Sequence, residues 1–179
     1  MARISSIDPQ NRPDLAQLVD KITGDRGGRV SGVYRMLLHS PAISESWLHL
    51  GSSLRTQTQI DEPTKELALM RVAILNGVDY ILRTHIERYA SDAGLTEDQI
   101  KTLAVWHSSQ HFERHHRALL AYVDAMTRDI DVSDQVFDAL RVHYNERQVV
   151  EITVLIGFYN MHSRVLKALK IDPEPAYKS

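Results

Sequence analysis

The chain contains no cysteine. That absence excludes disulfides, thiolate zinc sites, iron–sulfur clusters and any thiol nucleophile. It also lacks an excess of either charge, since 21 Lys and Arg stand against 23 Asp and Glu. A nucleic-acid module carries a basic excess or stripe, so no nucleic acid is expected as a partner. The longest uncharged apolar stretch runs only from Ile152 to Ser163. A membrane span needs about 20 apolar residues, so no membrane association is expected either. Nothing alternates with period two for long enough to read as a strand. No Gly-x-Ser-x-Gly elbow presents a serine nucleophile. The cluster Gly24-Asp25-Arg26-Gly27-Gly28 lacks the Lys-Ser/Thr that completes a phosphate loop, and it reads as a connection between helices.

What is present is an ordinary globular composition, with 179 residues of which 43% are hydrophobic and 25% charged. That length is one domain's worth, with surface enough to bury a core without staples. Residues 1–29 read as an N-terminal tail and first helix, 30–170 as the helical domain, and 171–179 as a C-terminal tail. The segment Met1 to Pro13 carries Arg3, Asp8 and Arg12 and has no apolar core of the kind a secretory signal needs, so a cytoplasmic location is expected.

The fold class expected is all-α, a single-domain bundle of about eight helices. A short helix is read around Val33, Met36, Leu37 and Leu38, and another from Ile43 to Leu54. Asp61 then serves as an N-cap, with Pro63 in the first turn and Glu62 and Glu66 complementing the positive helix end. The apolar run Leu67 to Leu75 follows, stopped by Asn76-Gly77. It is apolar nearly all round, which predicts a central helix. Asp79 opens the next helix, with Gly94 read as its terminating glycine. Thr96 with Gln99, and Asn145 with Gln148, form capping boxes. The first opens a short helix through Trp106, and the second a long one to about Lys170. Between them lie an amphipathic segment from Phe112 to Thr127 and a helix capped by Ser133.

Two constellations bear on chemistry. Glu66 shares a helix face with Leu69, Met70 and Ala73, and His85 shares one with Ile81, Leu82 and Tyr89. A carboxyl and an imidazole brought within reach can pass a proton near neutral pH. The plainer reading is a first-turn helix charge and a half-buried histidine. His111 and His115 have the spacing at which two imidazoles on a helix share a metal. No third ligand is evident, Phe112 stands where a zincin has its Glu, and the segment reads as a solvated helix entrance with no metal site. Trp47, Trp106, Tyr34, Tyr80 and Tyr159 could line a pocket, although aromatics at helical spacing more often fill a core or an interface.

The stretch from Glu66-Leu-Ala-Leu-Met-Arg-Val-Ala-Ile-Leu-Asn-Gly-Val-Asp-Tyr80 through His85 to Ala93-Gly-Leu-Thr-Glu-Asp-Gln-Ile100 resembles the carboxymuconolactone decarboxylase family, also called alkyl hydroperoxidase D-like. Arg117-Ala-Leu-Leu-Ala-Tyr122, Glu146-Arg-Gln-Val-Val-Glu-Ile152 and Ile156-Gly-Phe-Tyr-Asn-Met161 add to the likeness. It covers roughly residues 30–170. The resemblance implies an all-helical fold and a homo-oligomer, trimer or hexamer. In the family's peroxidase branch a Glu precedes Cys-x-x-Cys, and a His follows four residues after the second Cys. Glu66 and His85 fall on the Glu and His positions, and Val78 and Ile81 on the two cysteine positions. A disulfide-reducing peroxidase needs both thiols, so that activity is not expected here. Many relatives in the decarboxylase branch show Tyr-Glu-Trp where this chain has Tyr80-Ile81-Leu82, so a second carboxylate is missing as well.

The resemblance therefore implies a cofactor-free enzyme of decarboxylase, lactone or isomerase type acting on a small carboxylated metabolite. Glu66 and His85 are its expected catalytic residues, and Val78, Tyr80 and Ile81 its expected substrate-binding residues. The rival expectation is a non-catalytic oligomeric binding protein.

Overall fold

The computed structural model describes residues 2–171, except for the side chain of Arg88. The C-terminal tail read over 171–179 lies, from 172 onward, outside the described residues. Nine α-helices are present among the described residues, with three short 3-10 turns and no strand. They are α1 (Ala16–Asp25), α2 (Gly32–Leu37), α3 (Pro41–Thr56), α4 (Glu62–Asn76), α5 (Asp79–Arg88), α6 (Glu97–Thr102), α7 (Arg114–Arg128), α8 (Asp134–Arg141) and α9 (Glu146–Leu169). No helix among the described residues is long and apolar enough to cross a membrane.

The chain divides into two compact units, one of residues 1–57 with 165–179 and one of residues 58–164. The first holds α1, α2 and α3, which bury Ile22, Tyr34, Leu38 and Trp47. The glycine-rich segment after α1 is a connection, as read. Gly27 and Gly28 take left-handed backbone angles, and Arg26 donates to the Tyr34 hydroxyl at 2.9 Å. The Arg3 main-chain N–H and guanidinium each donate at 2.9 Å to the free carbonyls at the end of α9, Leu169 and Ala168 respectively.

The second unit carries the residues of chemical interest. Its central element is α4, in which every residue from Thr64 to Ala73 is buried. This is what its all-round apolar pattern dictates. Asp61 accepts from the Thr64 N–H at 2.8 Å, and Gly77 closes the helix at φ 61°, ψ 47°. Both capping boxes form: Thr96 with Gln99, and Asn145 with Gln148. Helix α7 packs along α4, with Leu119, Leu120 and Val123 fully buried. At the end of α4, the Asn76 amide donates to Asn160 of α9 at 3.1 Å, and Asn160 donates to Thr127 of α7 at 3.0 Å.

One helix end departs from the sequence reading. Helix α5 stops at Arg88 rather than running on to Gly94. The N–H groups of Tyr89 and Ala90 both turn back to the His85 carbonyl, and Gly94, at φ 85°, belongs to a separate turn.

Candidate functional site

The site begins with the end of α4. Asn76 is the last helical residue, and Gly77 adopts the left-handed conformation that an L side chain resists. The Val78 N–H reaches back to the Ala73 carbonyl at 2.9 Å. This reversal lets α5 start at Asp79 and pack on α4. On α5, Ile81 and His85 stand four residues apart on one face, and Val78 precedes them as the buried N-cap residue.

That face meets Glu66. The His85 Nδ1–H donates to Glu66 Oε2 at 2.8 Å. Both side chains are nearly enclosed, at 12% exposure for His85 and 8% for Glu66. An ionised carboxylate can only accept, so Nδ1 carries the hydrogen and the neutral ring keeps its lone pair on Nε2. Nε2 makes no hydrogen bond among the described residues.

Aromatic rings bracket the imidazole. Tyr89 lies one turn further along α5, tilted, with its ring centroid 5.1 Å from that of His85. Tyr159 of α9 presents an edge at 5.9 Å. Behind Tyr159 stand Phe158 at 5.6 Å and His162 at 5.9 Å. Val78 and Ile81, just after α4 and in the first turn of α5, are buried at 5% and 2% exposure. Tyr80 is half-buried in the first turn of α5. It sits about 140° around the helix from His85, five residues at about 100° each, so the nearest phenols to the imidazole are those of Tyr89 and Tyr159. Of the other aromatics singled out from sequence, Tyr34 and Trp47 belong to the first unit, and Trp106 to the clasp described next.

Helix α4 is held in register by a buried ion pair. Arg71, 2% exposed, donates Nε and Nη2 to the Asp124 carboxylate of α7 at 2.6 and 2.7 Å. Its Nη1 donates to the carbonyls of Leu103 and Ala104 at 3.2 and 3.0 Å. The Trp106 indole donates to the same carboxylate at 3.4 Å. Arg117 pins the following loop by donating to the carbonyls of Trp106, His107 and Ser109. Sequence reading noted Arg117 only as part of a short basic cluster and a family-like motif, and it assigned Arg71 no role of its own. The signal at Arg71 was a lone charge inside the apolar run from Leu67 to Leu75.

The histidine segment also differs from its reading. Helix α7 starts at Arg114, so His111 lies outside it and the pair His111 and His115 does not share a helix face. His115 neighbours His116 and His143 instead, and His116 is buried rather than solvated.

Residues 41–125, the span that contains Glu66, Val78, Ile81 and His85, match the model of the carboxymuconolactone decarboxylase family. That match, over just under half of the chain, supports the carboxymuconolactone decarboxylase family as this chain's. The uncharacterized protein YdfG of Bacillus subtilis is 28% identical over 115 residues, covering 63% of this chain and 78% of YdfG. A crystal structure of an Agrobacterium tumefaciens protein of unknown function, proposed to be the antioxidant defence protein AhpD, superposes with a TM-score of 0.73. It is 26% identical and covers 78% of this chain and 96% of its own. A cysteine-to-alanine variant of the debrominase Bmp8 in complex with 2,3,4-tribromopyrrole gives a TM-score of 0.81 at 17% identity, covering 98% and 95% of the two chains. That likeness is one of fold. The chain that carries this match has no cysteine.

Proposed function

We propose that Glu66 and His85 carry out cofactor-free acid/base chemistry, of decarboxylase, lactone or isomerase type, on a small carboxylated metabolite. The observation that carries this reading is the 2.8 Å bond from His85 Nδ1 to Glu66, which leaves Nε2 as the acceptor. In the step proposed, Nε2 takes a proton from a carbon next to a carbonyl. The electron pair of that C–H bond becomes an enolate, and the imidazolium is held by the Glu66 carboxylate. Returning the proton to another atom completes an isomerisation. In a decarboxylation the bond from carbon to the carboxylate breaks instead, its electron pair becomes the enolate as carbon dioxide leaves, and the imidazolium, protonated from solvent, gives its proton to that carbon. Val78 and Ile81 supply an apolar floor that strengthens the charge interactions above it. Thiol peroxidase chemistry by this chain has no nucleophile, because valine and isoleucine occupy the two positions where the family's peroxidases have cysteine.

The same reading includes a homo-oligomer, trimer or hexamer, in the cytoplasm. Its support is the outer face of α9, where Val150, Val154 and Met161 are 62%, 40% and 41% exposed. These residues recur at helical spacing as an apolar stripe. A monomer by light scattering at micromolar concentration overturns the oligomer.

The catalytic reading is tested by screening carboxylated lactones and enolisable acids against wild type, Glu66→Gln and His85→Ala. Turnover is expected to fall in both variants. Full turnover in both overturns the assignment. Binding without turnover in the wild type favours the non-catalytic binding protein instead.

A further inference from the structure

Away from the Glu66–His85 pair, three imidazoles gather where α7 begins. His115 and His116 occupy its first turn, with ring centroids 3.9 Å apart and planes inclined at 46°. His143, in the connection between α8 and α9, presents its ring to His115 at 6.3 Å. We infer that His115, His116 and His143 form an acid-sensitive junction that locks the start of α7 while at most one imidazole is charged, and loosens when a second takes a proton.

The first turn of α7 carries the positive end of the peptide dipoles, and its N-cap residue Glu113 makes no side-chain bond to the free N–H groups. Added positive charge is disfavoured there. One charge is provided for, since the Glu113 carboxylate stands 3.5 Å from His115 Nδ1. A second charge on the adjacent ring finds no such counterpart. His116 is 8% exposed, and its Nδ1 has no hydrogen-bond partner among the described residues.

The groups that face this turn come from three elements. The N-cap of α4 contributes Asp61, which attracts a proton to His116 but is engaged by the Thr64 N–H at 2.8 Å. Helix α7 and its cap contribute His115 and Glu113, while Arg117 is turned to the carbonyls of Trp106, His107 and Ser109. The connection after α8 contributes His143 and Tyr144, whose hydroxyl lies 3.4 Å from that of Thr64. Desolvation and the neighbouring His115 hold the His116 imidazole below its ordinary range of about 6.5, against the weaker pull of Glu113 and Asp61.

The sign follows from linkage. A histidine whose folded form resists protonation leaves stability intact above the unfolded value. Stability is lost as the pH falls through about 6.5, because the unfolded chain takes up the proton first. The loss falls on the junction of α7 with the α8–α9 connection.

Hydrogen exchange followed residue by residue tests this. Protection factors are compared between about pH 7.5 and pH 5, which brackets the imidazole range. In the wild type, the amides of residues 117–120 are expected to lose at least about tenfold in protection relative to Leu69 and Met70 of α4, one pH unit's worth of linkage. His116→Gln is expected to abolish most of that difference. His143→Gln, on the exposed side of the cluster, is expected to reduce it, which keeps the test available if the buried variant fails to fold. Equal responses of α7 and α4 in the wild type, or an unchanged response in the folded variants, overturn the inference.

Discussion

Arg71 and Asp124 face each other across the α4–α7 interface through two short hydrogen bonds, Nε to Oδ1 at 2.6 Å and Nη2 to Oδ2 at 2.7 Å. Both are buried, and the guanidinium's remaining donor is spent on main-chain carbonyls. Removing one member leaves the other charged and desolvated, which costs about 3–5 kcal/mol. Asp124→Asn and Arg71→Met are each expected to lower the unfolding free energy, read from urea denaturation, by that amount. The double replacement Arg71→Met with Asp124→Leu is expected to recover a large part, because well-packed apolar groups substitute for a buried pair at little cost. A double variant that loses the sum of the two single losses would show that the pair has no special coupling.

The orientation of His85 gives a second expected outcome. Glu66 fixes the hydrogen on Nδ1, so nitrogen NMR of the neutral imidazole should report Nδ1 protonated and Nε2 bare. Glu66→Gln presents an amide that can accept or donate, and the ring is expected to populate both tautomers. Turnover of a substrate found by the screen should fall by about 10²–10⁴ on losing the base in His85→Ala. A single unchanged tautomer in the Glu66→Gln protein would mean that another group orients the ring.

The parts of this arrangement legible in sequence are those set by local rules. Asp61, Gly77, the Thr96–Gln99 box and the Asn145–Gln148 box each act over four residues or fewer, and the structure places them as read. The all-round apolar pattern of α4 likewise carries its central position in the chain's own letters. What escaped reading depends on partners far apart in sequence. Asp124 meets Arg71 across 53 residues, and Tyr159 reaches His85 from another helix. The end of α5 escaped for a different reason. Gly94 carries the left-handed angle expected of a terminating glycine, but the His85 carbonyl has already captured the N–H groups of Tyr89 and Ala90.

Gly77 joins the two helices that hold Glu66 and His85. Its backbone sits at φ 61°, ψ 47°, a conformation that costs an L residue about 1–2 kcal/mol. Gly77→Ala is expected to lower stability by that amount, as read from chemical denaturation. It should also weaken protection from hydrogen exchange in the first turn of α5, where the reversal is anchored by the Val78 N–H to the Ala73 carbonyl. A loss of stability without any change at α5 would separate the turn from the placement of His85.

Ile130 presents the opposite case. It follows the C-cap of α7 with φ at 66°, and 85% of it is exposed. A β-branched side chain strains against the carbonyl in that region, and here the strain is not offset by burial. Ile130→Gly relieves the clash and removes almost no packed surface, while the added chain entropy of glycine in the unfolded state takes back part of the gain. Ile130→Asn tolerates the same backbone with less of that entropic loss. Both variants are expected to be at least as stable as the wild type, with Ile130→Asn the more stable by about 0.5–1 kcal/mol. For a chain of this size, a gain of about 1 kcal/mol raises the melting temperature by about 2–4 °C. If instead both variants melt below the wild type, Ile130 is buried in the assembled protein, and the stripe on α9 is not the only surface a second copy covers.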